Sequence, residues 1–288
     1  MKTLRGEGET TRRDDGSRLT PARSSIITLL TDFGSTDYFV GALKGIVLSI
    51  NPRASLIDLT HEIPAHDVAA GAFTLVVSYR SFPEQTIHVA IVDPEVGSAR
   101  RPILVSAGEH FFVGPDNGIF SYVYESEPSY QTFHVTNEKY FRHPVSPTFH
   151  GRDIFAPVAA AFSLGANPQE FGPEINDPVR LASLRPIEQK NGKLKGRIIH
   201  IDRFGNCITN FTRDHFAVGL ERRSSVQIGG KTIRSFKRFF SENPNGSERL
   251  FAVWGSAGFL EIAAANRSAA RLLGAKRGQP VILRSGKR

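Results

Sequence analysis

Residues 26–45, IITLLTDFGSTDYFVGALKG, decide how the rest of the chain is read. Ile26, Ile27, Leu29 and Leu30 make a short apolar run, the mark of a buried strand, which ends at the turn-rich Thr31-Asp32-Phe33-Gly34. From there Phe39, Ala42, Leu43, Ile46, Val47 and Ile50 recur at three- and four-residue spacing, which predicts an amphipathic helix. Asn51 and Pro52 stop it. Strand, turn and helix in so short a span open a βαβ unit.

Outward from this stretch the alternation continues. Residues 55–59 read as a strand, 67–79 as a helix rich in Ala and Val, and 86–92 as an apolar strand running into Asp93-Pro94. Further strands are predicted at 103–106 and 110–113, and a helix at 154–163. The pattern predicts a doubly wound, Rossmann-like α/β domain over residues 25–170 with a largely parallel sheet. Such sheets bind ligands beyond the carboxyl ends of their strands, near a topological switch point. Asp32 and Asp93 both fall at such ends.

A Pro-, Asn- and Gly-rich stretch, 171–192, reads as a linker. Beyond it the predicted strands are short: 196–201, 207–211, 225–228, 249–253, 259–263 and 280–283, with a helix near 269–273 and a hairpin signal at Gly229-Gly230. Residues 193–288 are therefore expected to form a smaller β-barrel domain. Residues 1–24 are polar and charged without periodicity, and read as a disordered tail rather than a secretory signal. No apolar run reaches the ~18–20 residues of a membrane span. Cys207 is the single cysteine, so no internal disulfide framework is available and a cytoplasmic setting is expected.

The formal net charge is +8. Much of the surplus lies in two clusters, Arg222, Arg223, Lys231, Arg234, Lys237 and Arg238, then Arg267, Arg271, Lys276, Arg277, Arg284, Lys287 and Arg288. No nucleic-acid motif or aromatic ladder accompanies them, so they read as a solvated basic face and nucleic acid is not an expected partner. Phosphate loops, dinucleotide fingerprints and nucleophile elbows are absent. His61 and His66 do not have a usual zinc spacing, so that loop reads as polar, with His66 facing ligand; no metal is expected.

Polar residues at the strand ends remain. A carboxylate at Asp32 suits a ribose diol, since it can accept two hydroxyl hydrogen bonds. Asp37 could share the site or simply cap the following helix. Asp93 and Arg100, in VDPEVGSARR, could pair for structure or for chemistry. His150, in TFHGRDIFAP, precedes a helix; it could pack there, or accept a proton or hold a water. In IDRFGNCITN, Phe204 offers a stacking face and Asn206 the donor and acceptor an adenine edge requires.

In this order the segments TDFGSTDYFVGALKG, DLTHEIPAHDVAAGAF, VDPEVGSARR, VGPDNGIF, TFHGRDIFAP, IDRFGNCITN and GFLEIA resemble the S-adenosylmethionine (SAM) hydroxide adenosyltransferase family, hydrolytic relatives of the fluorinases and chlorinases. The resemblance runs from Ile26 to Leu283. It implies a SAM hydrolase releasing adenosine and methionine, with SAM as substrate and no cofactor. It also implies an α/β domain followed by a β-barrel, and a homotrimer with SAM bound between subunits. Asp93, Arg100 and His150 match the water-holding triad and Asp32 the ribose ligand. Asp37 and Asp202 match contacts to the methionine amino end, Asn206 an adenine contact with Phe204 stacking beside it, and Ser256 a methionine carboxylate contact. Departures from the family pattern stand out: Glu95 and Ser98 replace a usual glycine and threonine, and Ala257 stands where halogenases carry arginine.

Two other classes compete. One is a non-enzymatic SAM or adenosine sensor that contacts RNA through its basic second domain. The other is a halide-using transferase. Fluorinases carry tyrosine at the positions of Asp93 and His150, and a buried carboxylate at Asp93 would repel a halide. The resemblance therefore favours hydrolysis.

Overall fold

The computed structural model describes residues 26–189, 193–215, 224–242 and 249–284. The tail 1–24 and the basic residues Arg222, Arg223, Lys287 and Arg288 lie outside the described residues.

The first sheet contains β1 (Ile26–Thr31), β2 (Ser55–Thr60), β3 (Ile87–Ile91), β4 (Pro102–Ala107), β5 (His110–Pro115), β6 (Tyr130–His134) and β7 (Glu174–Ile175), in the order β2-β1-β3-β5-β4-β6-β7. Its helices are α1 (Phe39–Ile50), α2 (Val68–Ser78), α3 (Ser121–Ser126), α4 (Ala156–Ser163) and α5 (Pro168–Phe171). The strands β2, β1, β3 and β5 pair in parallel, whereas β5-β4, β4-β6 and β6-β7 are antiparallel. The expected largely parallel sheet is thus corrected to a mixed one, half parallel and half antiparallel. The physical reason is the two-residue connection between β4 and β5, Gly108-Glu109, with Gly108 at φ 56. A tight hairpin can only return antiparallel, since a parallel partner needs a crossover of a dozen or more residues.

Both faces of the parallel half are covered. Ile27 and Leu29 of β1 and Val89 of β3 pack with Leu43 and Val47 of α1 and with Val158 and Phe162 of α4. Leu30 and Ala90, next along the same strands, face the other way onto Ala70 and Leu75 of α2 and Val123 of α3. This two-sided burial is why β1 and β3 read as near-continuous apolar runs. Because α1 leads from β1 to β2 on one side and α2 leads back to β3 on the other, the switch point lies between β1 and β3. Asp32 and Asp93 follow these two strands, whose register aligns Thr31 with Ile91.

The second sheet takes β8 (Ile187–Gln189), β9 (Lys193–Ile201), β10 (Cys207–Thr212), β11 (Ser225–Ile228), β12 (Lys231–Ile233), β13 (Phe236–Lys237), β14 (Leu250–Trp254), β15 (Phe259–Ala264) and β16 (Pro280–Arg284). Its path is β12-β11-β16-β9-β10-β15-β14-β13, with β8 also on β9. Gly229 and Gly230 form the β11–β12 hairpin at φ 53 and 76, as their spacing predicts. A separate apolar core lies under this sheet, where Ile198, Phe211, Leu260 and Ile262 meet Leu273 of α6 (Ala269–Leu273). Where the two halves meet, Phe73 of α2 stacks on His200 of β9 at 5.1 Å, and Arg277 pairs with Asp67.

Candidate active site

At the switch point a cleft of about 300 Å³ is bordered by Asp32, Phe33, Phe39, His66, Asp93, Phe149 and His150. Its wall is aromatic: Phe149 meets Phe39 edge-on at 5.2 Å and Phe33 at 6.0 Å, and the exposed Tyr38 adds a further ring. Such a wall suits a flat, weakly polar ligand. His66 holds a positive φ of 67, and its backbone N–H donates to Asp32 Oδ2 at 2.8 Å. That bond fixes one carboxylate oxygen of Asp32 and leaves Oδ1 free of it.

Arg100 links Asp93 and His150 by hydrogen bonds. Arg100 Nε donates to both oxygens of Asp93, at 3.1 and 3.0 Å, and Nη2 donates to Asp93 Oδ2 at 2.6 Å. The same Nη2 donates to His150 Nδ1 at 2.7 Å. The Asp93 and Arg100 side chains are 4% and 3% exposed, and Phe155 lies against the guanidinium at 5.1 Å. Among the described residues Arg100 Nη1 is buried without a hydrogen-bond partner. A guanidinium has donors only, so His150 Nδ1 must accept and its ring proton lies on Nε2. Burial, then the Arg100 charge, lower the His150 pKa, with Asp93 and Asp153 opposing.

His150 is delivered by an unusual local structure. A π-helical turn, Gly151–Phe155, joins it to α4, a feature common at functional sites. A β-carbon at Gly151 would meet Ile91 and Leu43 at 3.4 Å, ordinary contact distance, so the turn lies beside β3 and α1. Asp153, wholly buried within that turn, accepts from Arg142, Arg152 and the Ser146 backbone. Burial alone would raise the Asp153 carboxyl; these hydrogen bonds prevail and hold it below its ordinary value.

The loop bearing Asp93 and Arg100 is held by residues whose roles the sequence did not reveal. Asn117 Nδ2 donates to the carbonyl of Val92, the neighbour of Asp93, at 2.8 Å. Asp116 accepts from Arg101, the neighbour of Arg100, at 2.8 Å. Both follow β5 in VGPDNG, where the visible signal is an Asp-Asn-Gly turn just beyond an apolar strand. Replacing Asn117 by alanine is expected to cost about 1 kcal/mol of stability. Because the bond it removes positions Asp93, turnover should fall more than substrate affinity; chemical unfolding with steady-state kinetics checks both.

Glu95 is exposed and does not take positive φ. The left-handed position in its loop is Gly97, at φ 83, where a β-carbon would collide with the Pro147 carbonyl. The loop thus accepts a carboxylate at 95 without strain. Asp37 is exposed, and the α1 cap position is Tyr38, with no side-chain cap, so the capping alternative for Asp37 is not realised. His61 uses Nδ1 on Thr31 and places Nε2 3.1 Å from Asp58, a loop-holding role.

The remaining candidates border a second cleft of about 1280 Å³: Asp202, Phe204, Asn206 and Ser256. Phe204 is 78% exposed. Asp202 Oδ1 accepts from the backbone of Phe204 and of Asn206, and Oδ2 accepts from Asn206 Nδ2 at 2.9 Å. This Asx arrangement builds the β9–β10 turn and engages the Asn206 side chain through Nδ2, not through Oδ1. The two clefts therefore divide the candidates within one chain, Asp32, His66, Asp93 and His150 bordering the first.

Family models for the SAM hydroxide adenosyltransferase N-terminal and C-terminal domains match residues 27–172 and 196–282. The chain belongs to this family. Within the SAM hydroxide adenosyltransferases it is 36% identical over 264 residues to a Thermus thermophilus protein named (R)-S-adenosyl-L-methionine hydrolase, covering 89% of this chain and 98% of that one. A Methanocaldococcus jannaschii protein of the same name is 35% identical over 260 residues, covering 86% and 91%. The crystal structure of an uncharacterized conserved protein from Thermotoga maritima superposes with a TM-score of 0.82 at 32% identity, covering 89% of this chain and 99% of that one.

Proposed function

We propose that this chain hydrolyses SAM to adenosine and L-methionine, with water attacking C5′ opposite the sulfonium. The observation that carries the reading is the Asp93–Arg100–His150 hydrogen-bond chain at the switch-point cleft, beside Asp32. The water oxygen bonds to C5′ as the C5′–S bond breaks. The electron pair leaves on sulfur as a neutral thioether, so neither a general acid nor a cofactor is required.

The proton layout supports a division of labour. His150, with its Nδ1 engaged by Arg100, offers an N–H from Nε2 and orients a water lone pair. Asp93 is the group with anionic lone pairs, and in this reading it takes the proton the attacking water releases. The buried Arg100 charge offsets the charge of a forming hydroxide, and exclusion of water strengthens that effect. Positioning is assigned the larger share, since oriented reactants can lower a barrier by roughly 7–11 kcal/mol. A halide is disfavoured at the same place, because the Asp93 carboxylate would repel it.

In the same reading Asp32 holds the ribose. Asn206 and Phe204 take adenine, while Asp37, Asp202 and Ser256 face the methionine end. The division of these residues between two clefts favours a site completed by a second copy, in the homotrimer the family resemblance implies. The assignment of residues 25–170 and 193–288 as two domains, with the second sheet curled into a barrel, belongs to this reading, as does a cytoplasmic setting. Among the described residues no helix is long and apolar enough to cross a membrane.

Incubation with SAM in heavy-oxygen water is expected to place the label on the adenosine 5′-hydroxyl, read by mass spectrometry. Label in methionine, or no adenosine at all, overturns the proposal.

A further inference from the structure

Glu261 is a buried carboxylate that the hydrolytic reading leaves without work. It stands on β15 between Val253 of β14 and Ile208 of β10, and only 9% of it is exposed. It borders the same cleft as Asp202, Asn206 and Ser256. Its carboxylate fills the space a β-carbon at Gly255 would need, which puts it directly against the residue preceding Ser256. Among the described residues no hydrogen bond or ion pair reaches it, although Arg267 and Arg271 border the same cleft. A carboxylate so placed is costly unless a cation joins it.

Asp202, the neighbouring acid, is differently employed: its oxygens accept three hydrogen bonds that build the turn. We propose that Glu261 receives the α-ammonium of the substrate's methionine moiety, making it a specificity-determining residue, while Asp202 principally shapes the turn beside it. The proposal rests on SAM being the substrate. An ammonium has three donors and a full positive charge, which suits a carboxylate carrying no other bonds and facing a second acid. Burial, with repulsion from Asp202 second, pushes the Glu261 pKa up to about 7, so an assay at pH 8 keeps it ionised.

The test compares steady-state hydrolysis, at pH 8 on the full chain, of SAM and of its analogue with hydrogen in place of the α-amino group. Glu261→Gln is expected to raise the KM for SAM about tenfold or more, the loss of one hydrogen bond to a charged group, with kcat nearly unchanged. The KM for the desamino analogue should not move. Glu261→Asp, which keeps the charge, should retain part of the preference for SAM, and it serves as the test variant should the glutamine form fail to fold. An equal rise for both substrates, an unchanged KM for SAM, or an aspartate form as unselective as the glutamine form overturns the proposal. Wild-type protein that releases no adenosine from SAM overturns the hydrolase reading itself and this assignment with it, a result distinct from hydrolysis indifferent to Glu261.

Discussion

Replacing Asp93 by alanine is expected to slow adenosine release by at least ~10²-fold and to weaken folding by about 3–5 kcal/mol. Both effects come from one geometry. Asp93 neutralises a guanidinium that is 3% exposed, and accepts three hydrogen bonds from it. Without the carboxylate, Arg100 is left as a buried cation with an unpaired face, and its donors lose their acceptor. The attacking water loses its anionic neighbour in the same step. Asp93→Asn separates the two losses. Its amide oxygen still accepts from Arg100 and fills the volume, so stability should fall less than in the alanine variant. Turnover should stay low, because an amide neither neutralises Arg100 nor takes a proton. Steady-state kinetics with urea unfolding on both variants gives the comparison. Undiminished turnover in the alanine variant removes Asp93 from the mechanism; undiminished turnover in the asparagine variant removes only its role as proton acceptor.

The half of the fold that carries this site was legible because its signals are strong. Strands β1 and β3 are buried on both faces, so Ile26–Leu30 and Ile87–Ile91 read as near-continuous apolar runs, interrupted only by Thr28 and His88. The stripe from Phe39 to Ile50 could only be a helix. The antiparallel half was harder. Strand β6, YQTFH, begins with exposed residues, β7 has two residues and α3 only six, too little for any period to show. Pattern alone therefore makes the sheet more parallel than it is.

The site divides in a similar way. Asp32 and Asp93 could be placed at strand ends from pattern alone. That Arg100 and His150 join Asp93 could not, because spacings of seven and fifty residues say nothing of contact, and only the motif resemblance suggested it. The employment of Asp202 within its own turn depends on backbone conformation, which a sequence does not display. Glu261 was hidden differently: within GFLEIA it is one polar residue in an apolar strand, and alternation would assign it to solvent unless the cleft behind it were known.

Histidine 150 gives the second large effect, and its sign follows from the hydrogen bond it accepts. Arg100 Nη2 donates to Nδ1 at 2.7 Å, so the ring must be neutral there; a second proton would set N–H against N–H beside a fixed positive charge. Burial and then Arg100 lower the His150 pKa below its ordinary 6.5, against the opposing pull of Asp93 and Asp153. A base whose folded pKa is depressed contributes stability that is complete above its unfolded pKa, and that contribution is lost as pH falls through the folded value. Activity should behave alike: full at pH 7, with an acid limb whose midpoint lies below 6.5. His150→Ala is expected to lower kcat by at least ~10²-fold while SAM still binds, since the ring orients water rather than substrate. His150→Gln can accept from Arg100 and keeps a donor, yet does not titrate, so the portion of the acid limb due to His150 should disappear from its kcat/KM profile. A wild-type midpoint at or above 6.5 contradicts the neutral, Arg100-bound imidazole, and a glutamine variant with the wild-type limb assigns that limb to another group. Retained turnover in the alanine variant takes His150 out of the water site.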